Sequence, residues 1–299
     1  MSAARPAAAL AACFLLGLGA TPAAQAKPVT VADLLEGSSA ADWRTPNPDD
    51  TLYLELPHGR VVIELAPRVA PRHIANVKAL VRAHYFDGLA IIRVQDNYVV
   101  QWDDASHHRP VPAGMKPSTE LTADAGAYSR FQPLPDHDLY APEVGFIDGF
   151  PAGRDPATRT AWLAHCYGMI GAGRDDPPES DGTEMYAVIG NAPRQLDRNV
   201  ALFGRVLVGM ELLSTLPRGS GEMGFYVASE PPVPITGMRL AADVPAAERT
   251  PIEVLRTESA TFRAVLAQRR ERHESWYKFN PGRIDLCNVP LPVRATGGR

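Results

Sequence analysis

The chain has 299 residues, 45% of them hydrophobic and 21% charged, with a formal net charge of −4. That length can bury one large core or two modest ones, and the composition is that of an ordinary globular protein. A slightly acidic chain without a basic block argues against nucleic acid as a partner.

Residues 1–26 are a different material. Arg5 precedes the apolar run Ala7 to Ala20, and Ala24-Gln25-Ala26 follows. A charged start, an apolar stretch and an A-x-A site predict an exported chain cleaved after Ala26, in a bacterial periplasm. The run is shorter than the ~20 apolar residues of a membrane span, so no spanning segment is expected. With Cys13 removed, Cys166 and Cys287 remain. They either form one disulfide or stay as buried thiols, and an oxidising compartment favours the bond.

Residues 27–49 read as an N-terminal extension with a short amphipathic piece, Val31 to Leu35, stopped by Gly37. Thr51 to Leu56 and Arg60 to Leu65 alternate about Pro57-His58-Gly59, which predicts a β-hairpin. Pro67 to Ala83 predicts a helix, with Pro71 in its first turn and Ile74, Val77, Leu80 and Val81 at helical spacing. A turn at Asp87-Gly88 then opens the strand-like run Leu89 to Val100, in which Arg93 is the one basic side chain. That arginine must face solvent or find partners.

Residues 105–160 hold much proline, glycine, aspartate and histidine with little periodicity, and read as a long loop insertion. Strands resume at Trp162-Leu163, Gly168 to Ile170, Met185 to Ile189 and Ala201 to Val208, before a short helix, Glu211 to Leu216. Residues 50–228 therefore read as one mainly β domain, and 229–299 as a C-terminal extension. In that extension Ser259 caps a helix carrying Phe262, Val265 and Leu266.

Several chemistries find no support. His107-His108, His137 and His165-Cys166 lack the short paired spacing of a structural zinc site. Gly171-Ala172-Gly173-Arg174 has no following Lys-Ser/Thr, and Asp103-Asp104 and Asp175-Asp176 read as turn and loop residues. No metal or cofactor is expected.

An ordered set of segments carries the positive signal. Arg60 to Leu65 with Ala70-Pro71 comes first, then Tyr85-Phe86-Asp87-Gly88, Arg93-Val94 and Tyr98-Val99-Val100-Gln101. Gly168-Met169 with Gly173 follows, then Gly182-Thr183-Glu184-Met185-Tyr186, Leu196-Asp197 and Leu202-Phe203-Gly204-Arg205-Val206 with Gly209-Met210-Glu211. Together, over roughly residues 50–220, they resemble the cyclophilin-type peptidyl-prolyl cis-trans isomerases.

The resemblance implies a closed eight-stranded antiparallel barrel capped by two helices. It implies an isomerase of X-Pro bonds acting on proline-containing polypeptides, with Arg93 as the catalytic donor and Gln101 as the positioning amide. Tyr98, Val99, Met169, Glu184, Tyr186 and Leu196 would line the substrate site. Departures from the family pattern are plain. Ile91-Ile92 replaces Phe-His, Trp102-Asp103 replaces Gly-Gly, Tyr186 replaces a pocket Phe, and Glu184 replaces a glutamine. Gln195 stands where a Trp favours cyclosporin, so weak cyclosporin binding is expected, and Val200 replaces a pocket histidine. These substitutions leave a second reading, a catalytically weak proline-peptide-binding chaperone or assembly factor.

Overall fold

The computed structural model describes residues 29–106 and 108–296. The expected signal segment, residues 1–26, lies outside the described residues. In chain order the elements are α1 (Val31–Glu36), β1 (Trp43–Arg44), β2 (Thr51–Leu56), β3 (Gly59–Leu65), α2 (Pro71–Arg82), β4 (Ala90–Val94) and β5 (Val99–Asp103). Next come α3 (Ala125–Ser129), β6 (Gln132–Leu134), β7 (Glu143–Ile147), β8 (Phe150–Asp155), β9 (Thr160–Leu163), β10 (Met169–Ala172) and β11 (Met185–Val188). The chain ends with β12 (Leu202–Val208), α4 (Met210–Ser214), β13 (Val233–Pro234), β14 (Gly237–Leu240), β15 (Ile252–Leu255), α5 (Ala260–Arg270) and β16 (Val293–Ala295).

The main sheet is antiparallel and curled, with nine strands in the order β13-β4-β5-β11-β10-β12-β3-β2-β14. This corrects the expectation of a closed ring of eight. Strand β13 pairs with β4 over two residues, and its Pro234 has no N–H to donate. The chain then bends. Ile235 donates to the Leu89 carbonyl at 2.8 Å and Thr236 to the Glu55 carbonyl at 2.9 Å, so a chain crossing spans the gap where a ladder would close it. The sheet also takes in residues 233–240, which the sequence placed in the C-terminal extension.

Helix α2 fills the curl, burying Ile74, Val77, Leu80 and Val81 against Phe86, Trp102 and Phe203. Its start lacks a cap of its own, because Ala70 has no polar side chain and Pro71 follows. Glu120 supplies the missing acceptor. It accepts from the backbone N–H of Arg72 at 2.9 Å and of His73 at 2.8 Å, and a carboxylate there also complements the helix dipole.

The stretch read as a structureless loop holds a four-stranded antiparallel meander, β6-β7-β8-β9. Trp162-Leu163, expected to rejoin the barrel, forms its last strand, β9. Close packing explains the hidden pattern. A Cβ on Gly145 would stand 2.0 Å from the Gln132 carbonyl oxygen, and one on Gly153 would stand 2.8 Å from the Trp162 ring. The residues that let these strands approach are the ones that read as breakers. The meander shares a second core with Phe262 of α5, Val99, Met169 and Tyr186. Cys166 and Cys287 are joined by a disulfide across 121 residues, which ties the C-terminal extension to the segment before β10. No described helix is long and apolar enough to cross a membrane.

Candidate active site

A row of facing residues crosses four strands. Arg93 on β4 faces Gln101 on β5, Gln101 faces Tyr186 on β11, and Tyr186 faces Gly171 on β10. A register shift between Ile91 and Arg93 makes the row possible. Ile91 faces Trp102 and Arg93 faces Gln101, so Ile92 is the extra residue of a β-bulge. The bulge brings the arginine opposite Gln101, an arrangement bulges recurrently provide beside active sites.

The Arg93 guanidinium is half-buried and held on three sides. Its Nε donates to the Met223 carbonyl at 2.7 Å, one terminal nitrogen donates to Gln101 Oε1 at 3.0 Å, and the other donates to Gln95. The rings of Tyr98 and Phe225 flank it at 5.4 and 5.3 Å. Burial lowers its pKa from the ordinary value, opposed by Tyr98 and Glu184, but an arginine stays charged in proteins. Gln101 accepts from Arg93 and donates its Nε2 to Glu184 Oε1, so both ends of its amide are committed.

The row opens onto a cleft of about 590 Å³. Arg93, Tyr98, Val99 and Gln101 line it, with Glu184, Tyr186 and Leu196. Met169 is apart from these: it is 1% exposed and packs beneath the cleft in the core that contains Val99 and Tyr186. Two glycines let the larger side chains lie flat. A Cβ on Gly171 would meet the Tyr186 hydroxyl at 2.3 Å, and one on Gly173 would meet the Glu184 carboxylate.

Other groups at the site carried no sequence signal. The loop Arg174 to Pro177 lines the cleft, and Arg174 gathers it by donating to the carbonyls of Asp175 at 2.6 Å and Asp176 at 3.1 Å. Those aspartates had been read only as loop residues. A second hollow of about 740 Å³ lies across Arg93, walled by Ile91, Ile92, Phe225 and Tyr226. The arrangement is a charged donor between two hollows. It suits noncovalent polarisation of a bound amide.

Comparison with known proteins identifies the family. Residues 51–239 match the family model described as cyclophilin type peptidyl-prolyl cis-trans isomerase/CLD. A probable peptidyl-prolyl cis-trans isomerase of Brucella suis is 26% identical over 186 residues, covering 62% of this chain and 78% of that protein. A peptidyl-prolyl cis-trans isomerase of Arabidopsis thaliana is 26% identical over 165 residues, 55% of this chain and 59% of that one. Among solved structures, the cyclophilin AquaCyp293 from Hirschia baltica superposes with a TM-score of 0.70 at 23% identity. That likeness covers 90% of this chain and 98% of the other, so it takes in the meander and the C-terminal extension as fold. With the family match covering residues 51–239, well over half of the chain, the chain belongs to the cyclophilin-type peptidyl-prolyl cis-trans isomerases.

Proposed function

We propose that this enzyme isomerises X-Pro bonds in exported polypeptides, with Arg93 as the catalytic donor and Gln101 as the amide that positions the substrate carbonyl. Rotation about the bond meets a barrier of ~18–20 kcal/mol because the amide nitrogen shares its lone pair with the carbonyl. A guanidinium donating to the prolyl nitrogen favours the lone pair localised there, and so the twisted state. The proline ring would rest between Tyr98, Val99, Tyr186 and Leu196 in the 590 Å³ cleft. The observation that carries this reading is the fixing of Arg93 by Gln95, Gln101 and the Met223 carbonyl, all neutral acceptors. They orient the guanidinium without cancelling its charge. A periplasmic setting is part of the proposal, supported by the leader-like residues 1–26 and by the Cys166–Cys287 disulfide.

One observation favours the second reading, a peptide-binding factor with little turnover. Each nitrogen of the Arg93 guanidinium already donates a hydrogen bond, so fewer donors face a substrate. Isomerisation of a short Ala-Pro-Phe peptide, measured beside binding of the same peptide, separates the two. A rate enhancement supports the enzyme, whereas binding without enhancement supports the factor. Fractionation that leaves the mature chain in the cytoplasm would overturn the export reading.

A further inference from the structure

Behind the cleft lies a chain of hydrogen bonds that the arginine row does not use. Tyr186 carries a hydroxyl where a pocket ring would otherwise be apolar, and a buried phenol needs a partner. His165 provides it, with Nε2 2.9 Å from the Tyr186 oxygen. The proton positions follow from the next link. Asp197 Oδ1 accepts from the His165 backbone N–H at 2.9 Å and lies 2.9 Å from His165 Nδ1, so Nδ1 carries the ring proton. The Nε2 of the neutral ring then accepts from the Tyr186 hydroxyl. Burial lowers the His165 pKa despite Asp197 and keeps the ring neutral.

The chain continues into the insertion. Asp197 Oδ2 accepts from Arg194 Nε at 2.6 Å, and Arg194 reaches Asp138 with both terminal nitrogens at 2.8 and 3.0 Å. His165 is 0% and Arg194 4% exposed, so the chain is dry along its length. One of its members, Tyr186, lines the cleft, and Asp197 directly follows the lining residue Leu196 in the chain. His165 precedes Cys166, whose disulfide holds the C-terminal extension.

We propose that His165 is a positioning residue for substrate binding. It holds the Tyr186 ring down on Gly171 and so sets the depth of the proline pocket, while Asp197, Arg194 and Asp138 fix His165 from the insertion side. The role rests on the proline-pocket reading above. Without His165, the buried hydroxyl lacks an acceptor and the ring has reason to turn into the cleft, where proline would sit. Removing both polar groups together leaves an apolar ring on an apolar neighbour, and the pocket is restored.

The test is the affinity of the full mature chain for an Ala-Pro-Phe peptide, measured at low temperature with circular dichroism confirming that each variant is folded. His165→Leu keeps the backbone N–H bond to Asp197. It weakens binding about tenfold, as does Tyr186→Phe, which strands Nε2. The double variant binds within about twofold of the parent. A purely structural His165 would lower melting temperature in the single variants while leaving affinity unchanged, and that result overturns the assignment. So does a double variant as weak as the sum of the singles. If His165→Leu fails to fold, Tyr186→Phe against the double variant decides in the same way. A parent chain that does not bind the peptide sinks the proline-pocket reading, and this assignment with it.

Discussion

The two ends of the cleft solve opposite electrostatic problems. At one end Arg93 is half-exposed, and the acceptors that fix it are an amide oxygen from each of two glutamines and a backbone carbonyl. At the other end the charges are buried and paired, with Arg194 shared between the carboxylates of Asp197 and Asp138. Neutral acceptors orient a charge and leave its field available to a bound amide. Opposite charges paired in a dry interior direct their fields at one another and hold geometry. Under the proposed mechanism the difference divides the cleft into an Arg93 end for chemistry and a Tyr186 end for shape.

The largest expected effect strikes the shape end. Asp197→Ala leaves Arg194 with one carboxylate in place of two and takes the acceptor from His165, a loss of about 3–5 kcal/mol by the usual cost of breaking a buried pair. Urea unfolding reads it directly, and a loss under about 1 kcal/mol would mean that the chain is not load-sharing.

Acid should act on the same end, and also at the start of α2, where His73 meets Glu120. Burial holds the pKa values of both His165 and His73 below the ordinary 6.5. Below pH 6.5 the unfolded chain binds protons that these folded rings refuse, so stability rises with pH through that window and is fully present above it. Asp197 adds a loss at lower pH. Burial raises its pKa, but hydrogen bonds from His165 and the Arg194 charge outweigh that and leave it below 3.8. Melting temperature should fall from pH 7.5 to pH 5.5, and a flat profile would show that both rings titrate normally.

The smallest effect sharpens the chemical end. Glu184 accepts from Gln101, and its charge opposes the lowering of the Arg93 pKa. Glu184→Gln removes that negative charge and should raise kcat/KM a few-fold, about 2–5 times, by leaving the guanidinium field undiminished. A fall instead would mean that the carboxylate orients Gln101 for the substrate.

Much of this was legible in the residues, unevenly and for physical reasons. The β2–β3 hairpin and α2 obey their periods, and Arg93, Tyr98, Val99, Gln101, Glu184, Tyr186 and Leu196 do line one cleft. Met169 was placed among them by the family resemblance, but it is 1% exposed and packs in the core. The Met223 carbonyl could not be read at all. It lies 130 residues from Arg93 and acts through backbone, which has no residue signature. His165 and Asp197, 32 residues apart, were weighed only as metal spacing or motif, and folding alone brings them together. The meander escaped because Gly145 and Gly153 permit close packing while looking like turns. Barrel closure fails at Pro234, in a stretch that had been read only as part of the C-terminal extension.

The account stands most directly on Arg93→Ala, followed by both peptide affinity and isomerisation rate. If the guanidinium acts on the twisted state, kcat/KM falls about 10²-fold or more while the dissociation constant for the Ala-Pro-Phe peptide changes less than about threefold. Equal losses in affinity and rate, or an unchanged rate, would contradict it and make Arg93 a residue of the binding surface.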